Sequence, residues 1–191
     1  IFTLTTGVDS GAGFTGGAGN DTFNGVIVNT AAANSTGTTF SAGDAINGST
    51  GTDTLSIAVT GTVAGTNAGT SISGIERVLV SNVSGNTQSI DMSLVDSALT
   101  TVGHTASNTN AVTTFSGLNK IVATELSNGN AGVTLTYNST VVAGTADAAT
   151  LTLSNQTGGT FTSTGIETLN VASNTVANTV TLAAGPTTVN V

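Results

Sequence analysis

Short segments in which apolar residues alternate with Thr, Ser or Asn run along most of this 191-residue chain. A period of two is the pattern of a β-strand with one buried face, and no stretch sustains the period of an amphipathic helix. Gly, Asn and Ser recur between the segments and mark turns. The predicted strands are 54–59, 76–81, 120–123, 133–137, 150–154, 167–172, 179–182 and 187–191. We therefore predict an all-β fold, with at most one helical turn within residues 94–102.

The composition supports this fold class and argues against several functions. Only 6% of the residues are charged, and the mean hydropathy is +0.28. The abundant β-branched Thr and Val pack well on pleated surfaces. Ten acidic residues stand against two basic ones, so the net charge is −8 and a phosphate backbone could not be neutralised. We therefore expect no nucleic-acid partner, and without a run of about 18 apolar residues we expect no membrane insertion.

An internal repeat suggests how the strands are arranged. The segment 73–82 returns as 164–174 with Gly-Ile-Glu in both copies, 91 residues apart, and a degraded copy lies between them at 116–122. A unit of about 45 residues with two or three strands is typical of a β-solenoid, whose coils bury their apolar sides by stacking. We predict a solenoid with irregular coils, resembling a parallel β-helix or β-roll. A β-sandwich of similar strand pairs is the alternative.

Residues 16–24 match the calcium-binding nonapeptide G-G-x-G-x-D-x-U-x at every fixed position. The glycines allow a tight turn, Asp21 supplies a hard carboxylate oxygen of the kind calcium prefers, and Phe23 fills the core. One nonapeptide supplies half of a calcium site, because each ion lies between two successive turns. Phe14 lies nine residues before Phe23, but the nearest acid of that earlier copy is Asp9, displaced from the ideal position.

A second region has the same nine-residue phase. Asp44 and Asp53 are nine residues apart, as are the apolar residues Ile46 and Leu55 that follow them. Two glycines lie between the aspartates, and cysteine is absent, so bound metal could take the place of a disulfide in stabilising the chain. The candidate Ca²⁺ ligands are Asp9, Gly17, Gly19, Asp21, Asp44, Gly48, Gly51 and Asp53. The alternative is that these are ordinary turns of a glycine-rich chain.

The remaining acids have weaker patterns. Glu76 and Glu167 occupy the same position of the repeat, where each is either a calcium ligand or a turn acid that accepts backbone N–H bonds. Asp147 precedes a predicted strand and is a further ligand candidate. Asp91 and Asp96 lie in a polar stretch and are predicted to be solvated turn acids.

Catalytic residues are not evident in this sequence. His104 is the single histidine, has no cysteine or patterned carboxylate near it, and is predicted to be an exposed loop residue. No Gly-x-Ser-x-Gly element occurs, and tryptophan is absent. We therefore expect that the protein is not an enzyme.

The nonapeptide followed by Gly-Ile-Glu strand repeats resembles the surface-layer proteins and related secreted proteins of Gram-negative bacteria. Those proteins carry toxin-type (RTX) calcium repeats and leave the cell by type I secretion. Segments 2–9, 19–23 and 43–48 share this resemblance. It implies a paracrystalline coat outside the cell, with calcium needed for folding and for lattice contacts. The chain departs from the toxins in lacking a long run of perfect nonapeptides, so a regular β-roll throughout is not expected.

These observations predict one elongated domain cut from a longer chain. Residues 1–58 form its calcium-binding, nonapeptide-like region, and residues 59–191 form a strand-repeat region continuous with it. The predicted function is a structural component of a calcium-dependent surface layer at the extracellular cell surface. Its partners would be copies of itself in a lattice, with cell-surface polysaccharide as a further partner.

An alternative function is a binding module of a large RTX-type secreted protein. Such an adhesin, or a surface- or ice-binding module, would use a flat threonine-rich face. The pairs Thr3/Thr5 and Thr150/Thr152 suggest such a face, although the sequence alone does not align them from coil to coil.

Overall fold

The computed structural model describes residues 1–29, 37–61, 69–107, 111–174, 176–183 and 185–191. In these residues the chain is an all-β solenoid of about seven turns, as predicted. Its strands are β1 (Phe2–Thr3), β2 (Thr22–Asn29), β3 (Ala45–Asn47), β4 (Thr54–Gly61), β5 (Ser71–Ser73), β6 (Arg77–Asn82), β7 (Gln88–Asp91), β8 (Thr101–Thr105), β9 (Val112–Leu118), β10 (Ala123–Gly129), β11 (Gly132–Tyr137), β12 (Ala148–Ser163), β13 (Thr168–Asn174), β14 (Thr179–Leu182) and β15 (Thr188–Asn190). The helical segments in the described ranges are two 3-10 turns, Gly11–Phe14 and Met92–Leu94, and no helix there is long and apolar enough to cross a membrane.

Successive coils stack through parallel strand pairs. The first sheet contains β1, β2, β4, β6, β8, β10, β12, β13 and β15 in that order. The second sheet contains β7, β9, β11, residues 157–163 of β12, and β14. Strands β3 and β5 pair in a short third sheet. Because β-sandwiches are built from antiparallel sheets, the parallel pairing of the described strands excludes that alternative.

Each coil is shorter than the repeat inferred from the sequence. Paired residues on neighbouring strands of the first sheet are 20 to 32 residues apart, as between Thr168 and Thr188 or Thr22 and Thr54. The unit of about 45 residues therefore spans two coils. The two Gly-Ile-Glu segments are equivalent, since they precede β6 and β13 of the same sheet. The degraded copy is not equivalent to them, because its last residues lie in the turn before β10.

Seven of the eight predicted strands are present, but the described residues contain seven further strands that were not predicted, β1, β2, β3, β5, β7, β8 and β9. The strand at 120–123 is wrong except for Ala123, which begins β10. Strand β2 was not predicted, because Gly25 breaks its alternating pattern. A Cβ at Gly25 would lie 2.8 Å from the Cβ of Phe40, so glycine leaves room for this buried side chain. That requirement comes from a residue outside the strand, which the local pattern does not contain.

The core lies on the inward side of the sheets and is built as columns of equivalent residues. Phe23, Leu55, Val78 and Val102 are paired across four adjacent strands, and all are fully buried. Phe2 extends the column by stacking on Phe23, with ring centroids 4.5 Å apart. Burying each such side chain contributes about 1.5–3 kcal/mol. The period-two alternation of the sequence is therefore the inward–outward alternation of the coils.

His104 is buried rather than exposed in a loop, so this prediction was wrong. It lies in β8, is 1% exposed, and occupies a core column between Val80 and Leu126. Burial lowers the pKa of His104 from 6.5 to about 4, although the backbone of Ala131 acts in the opposite direction. The ring is therefore neutral at pH 7 and serves as a core side chain.

Candidate metal centre

Several acidic residues stack at the turn that leads into the first sheet. Asp21, Asp53 and Glu76 directly precede β2, β4 and β6. The amide of Thr54 donates to the carbonyl oxygen of Asp21 at 2.8 Å. The amide of Arg77 donates to the carbonyl oxygen of Asp53 at 3.0 Å, so the three acids occupy equivalent places in successive coils. We call this set, Asp21, Asp53 and Glu76, the acidic corner.

The carboxylates of Asp53 and Glu76 accept hydrogen bonds from the backbone of the preceding coil. Asp21 N–H donates to Asp53 Oδ1 at 2.6 Å, and Asp53 N–H donates to Glu76 Oε2 at 2.6 Å. The same contact recurs where Asp147 N–H donates to Glu167 Oε2 at 2.9 Å. Such charge-assisted bonds are stronger than neutral ones. Glu76 and Glu167 are therefore turn acids that accept backbone N–H bonds, one of the two roles predicted for them.

The nonapeptide stacks on a degenerate copy of itself in the next coil, in which Ser49 replaces one glycine. Thr50 N–H donates to the carbonyl oxygen of Gly17 at 3.4 Å. Loop 16–21 thereby runs alongside loop 48–53, and the strands that follow them are offset by 32 residues. In each loop the first residue is glycine and the last is aspartate. The length of the coil, and not the nine-residue spacing along the sequence, determines which glycine–aspartate loops lie next to each other.

Carbonyl and carboxylate oxygens converge on the first glycine of each loop. A Cβ at Gly48 would clash with the carbonyl oxygen of Gly74 and would lie 2.6 Å from Asp53 Oδ2. A Cβ at Gly16 would clash with the carbonyl oxygen of Gly48 and would lie 2.9 Å from Asp21 Oδ2. Both positions therefore require glycine. Each is approached by a carbonyl oxygen of the next coil and a carboxylate oxygen of its own loop.

Asp53 carries the least satisfied oxygen of the acidic corner. The residue is fully buried, and its Oδ2 has no hydrogen-bond partner among the described residues. Burying an ionised oxygen without a partner costs free energy. Asp21 differs, because its Oδ2 accepts from Gly17 N–H at 2.9 Å. Asp53 Oδ2 is therefore an oxygen at which a bound cation would be favourable.

Asp9 and Asp44 form a separate buried pair at another turn. Asp9 N–H donates to Asp44 Oδ1 at 2.9 Å. The Asp9 carboxylate accepts from the amide and the hydroxyl of Thr5 at 2.7 and 2.6 Å, and Asp44 Oδ2 accepts from Ser41 N–H at 2.7 Å. Each of the four carboxylate oxygens thus accepts a protein hydrogen bond. The carboxylates of Asp9 and Asp44 therefore serve to accept hydrogen bonds from backbone N–H groups of the surrounding turns.

The structure groups the four predicted aspartates differently from the sequence. Sequence proximity groups Asp9 with Asp21, and Asp44 with Asp53. In the fold, Asp9 meets Asp44 and Asp21 meets Asp53. The reason is geometric, since neighbouring coils lie about 4.8 Å apart whereas nine extended residues span about 30 Å.

The acidic corner fits calcium better than the Asp9–Asp44 pair does. No group of three or more His, Cys, Asp or Glu side chains suited to a metal occurs within the described ranges. Calcium, however, takes about six to eight oxygen ligands and accepts backbone carbonyls among them. The carboxylates of Asp21 and Asp53 and the carbonyl oxygens of Gly48 and Gly74 are donors of this type. The unpartnered Asp53 Oδ2 is the observation that supports the fit.

The other predicted glycines lie in the two stacked loops. Gly51 has a φ of +140° and faces Gly19, whose carbonyl oxygen would lie 2.6 Å from an added Cβ. An added Cβ at Gly17 or Gly19 would meet nothing within 4 Å. Gly16 and Gly74 were not predicted, although both approach the acidic corner. The equal spacing from glycine to aspartate in loops 16–21 and 48–53 is a signal that could have indicated Gly16.

Comparisons of the chain with protein-family models, with curated proteins and with solved structures find no match. Its function is therefore inferred from its residues and their arrangement.

Proposed function

We propose that this chain is a structural segment of a calcium-dependent bacterial surface layer, secreted to the cell exterior and self-assembling through lateral contacts. The observation that supports this proposal is the acidic corner, where two stacked glycine–aspartate loops bring carbonyl oxygens next to Asp21 and the fully buried Asp53. The nonapeptide of such calcium repeats forms the first of these loops. A role as a scaffold also suits a chain whose parallel coils present extended sheet faces.

Calcium at the acidic corner would be held by the carboxylates of Asp21 and Asp53 and by the carbonyl oxygens of Gly48 and Gly74. The ion would supply positive charge next to Asp53 Oδ2, which has no hydrogen-bond partner among the described residues of this acidic chain. It would join loops that belong to adjacent coils. Binding would therefore stabilise the stack of coils and make folding depend on extracellular calcium.

Thermal unfolding tests the metal part of the proposal. Extracellular calcium modules bind at about 10⁻⁴–10⁻³ M, so about 10 mM calcium is expected to stabilise each site by about 1.4–2.7 kcal/mol over a chelator. For a chain of this size the Tm should rise by about 3–10 °C. Asp53→Asn should abolish most of that rise, whereas Asp91→Asn, a turn acid away from the corner, should retain it. An equal Tm with calcium and with chelator would refute calcium binding.

Electron microscopy tests the assembly part. With millimolar calcium the protein should form two-dimensional sheets, and chelation should disperse them. Monomers that persist at every calcium concentration would contradict a surface-layer role even if calcium raises the Tm.

A second candidate function is an adhesin, or a surface- or ice-binding module, of a large RTX-type secreted protein. It is favoured by threonines on the second sheet, where Thr114, Thr134 and Thr162 are aligned from coil to coil. Retention of the monomer on an insoluble neutral polysaccharide, or inhibition of ice recrystallisation, would support this function over the surface layer.

A further inference from the structure

The outward side of the second sheet carries a column of hydroxyl side chains. Ser89 of β7 pairs with Thr114 of β9, Thr114 with Thr134 of β11, and Thr134 with Thr162 of β12. All four are half-buried and alternate with fully buried inward neighbours along their strands. Neighbouring strands are about 4.8 Å apart. These four residues, which we call the hydroxyl column, therefore repeat at the spacing of the coils.

Three hydroxyls of the column have no hydrogen-bond partner among the residues that the structure describes. The hydroxyls of Thr114, Thr134 and Thr162 make no hydrogen bond to any described residue, whereas Ser89 Oγ lies 3.5 Å from Ser116 Oγ. Each free hydroxyl offers one donor and two acceptor sites. The column thus presents unused hydrogen-bonding groups in a fixed register.

The face around the column is almost free of charge. Strands β9, β11 and β14 and residues 157–163 of β12 contain no charged residue, and Asp91 lies at the end of β7. The first sheet also has outward hydroxyls, but its outward face carries the ion pair of Arg77 and Glu125. Two copies with a net charge of −8 each repel one another, and like charges at a contact are costly. On the second sheet, apart from Asp91 at its edge, two copies would meet without charged side chains in contact.

A second copy also matches the column in chemistry and in period. Hydroxyls are donors and acceptors at once, so one hydroxyl column complements another. The second copy has the same coil spacing, so hydrogen bonds formed at one coil remain in register at the next. A two-fold contact, in which the same patch serves both copies, satisfies both conditions.

We infer that the outward face of the second sheet, centred on Thr134, is a self-association face between two copies of this chain. This inference rests on the proposed surface-layer function and identifies the face that makes its lateral contact. Five strands of about six residues cover roughly 400 Å² per copy. Stable interfaces bury about 800 Å² per partner, so a single contact is weak and becomes effective when several act together in an array.

Sedimentation velocity of the 191-residue chain tests the inference in about 5 mM calcium, at protein concentrations from about 10 µM to about 1 mM. The wild type should show a sedimentation coefficient that rises with concentration. Thr134→Lys places a charge on the face and should weaken self-association at least tenfold. Thr105→Lys is the matched control, since Thr105 is also half-buried on a central strand and pairs with Ser127, but lies on the first sheet. It should associate as the wild type does.

The outcomes separate this inference from the proposed function. If the wild type associates and the two substitutions weaken association equally, or neither weakens it, the assigned face is wrong. Self-assembly itself would still stand. A wild type that stays monomeric would overturn both. A monomer that is retained on insoluble neutral polysaccharide, with retention lost only in Thr134→Lys, would overturn self-association and assign the face to a glycan. Tm values of both variants equal to that of the wild type establish that both are folded.

Discussion

At the scale of single residues, the polar groups inside the solenoid decide how it responds to its surroundings. Asp53 is buried with an unpartnered oxygen, and His104 is buried without a hydrogen bond of ordinary geometry to the described residues. Their positions differ, since the aspartate lies at a turn next to carbonyl oxygens and the histidine lies in an apolar column. The surroundings of Asp53 therefore suit a bound cation, whereas the surroundings of His104 suit only the neutral form of its ring.

The histidine predicts a dependence of stability on pH. Its pKa falls from 6.5 when unfolded to about 4 when folded, so the unfolded chain binds more protons between these values. The free energy of unfolding therefore falls as the pH is lowered through this window, by about 2–3 kcal/mol at pH 4.5. His104→Leu, which matches neighbours such as Leu126, should lose that much less between pH 7 and pH 4.5 in denaturant titrations. Parallel pH curves for the two proteins would contradict the assignment.

At the scale of elements, the corner loops and the strands hold adjacent coils together in different ways. Strands pair through the parallel ladder, whereas the loops add bonds from a backbone amide to a carboxylate of the next coil, as from Asp21 to Asp53. Gly16 and Gly48 allow the loops to approach closely enough for both. A substitution there should act through sterics, since neither glycine has a positive φ.

Gly48→Ala is predicted to destabilise the fold, because its Cβ would clash with the carbonyl oxygen of Gly74. Overpacking of this kind costs about 1–3 kcal/mol, which corresponds to a Tm lower by about 2–10 °C. Gly17→Ala is the matched control, since an added Cβ there meets nothing within 4 Å. Its Tm should be equal to that of the wild type or slightly higher. If the two variants have the same Tm, the close approach at Gly48 does not matter for stability.

At the scale of the whole molecule, stability is a sum over neighbouring coils. Each coil of a solenoid buries its core side against the coils next to it, so its local stability depends on how much of its surface those coils cover. In this chain β15 is exposed along its length, and Val189 is 44% exposed, whereas the inward residues of β4 and β6 are fully buried. The coils therefore differ in local stability along the axis.

Hydrogen exchange should reveal this gradient. Amides of β14 and β15 are expected to exchange with low protection, while those of β4, β6 and β8 should approach the protection of global unfolding. Mass spectrometry of proteolytic peptides resolves these regions. Calcium should increase protection most in β2 and β4, which follow the two stacked loops. Uniform protection along the chain would contradict independent stacking of coils.

The sequence by itself determined the fold class, the alternating pattern of about half of the strands and the glycine–aspartate spacing of the loops. Alternation of apolar and polar residues is a local property, since adjacent side chains of a strand point to opposite sides. The nonapeptide is local for the same reason, because its glycines and Asp21 act within one turn. Hence seven of the fifteen strands that the structure describes, and the aspartates of the corner, could be predicted from the sequence alone.

Only the tertiary structure decided which residues of neighbouring coils lie side by side. Irregular coils of 20 to 32 residues set that register, so Asp21 pairs with Asp53, and Asp9 with Asp44. The same register buries His104 in a core column and aligns Thr114, Thr134 and Thr162 on one face. No local pattern contains this information, because the contacts join residues a coil apart and the coil lengths depend on how each loop packs.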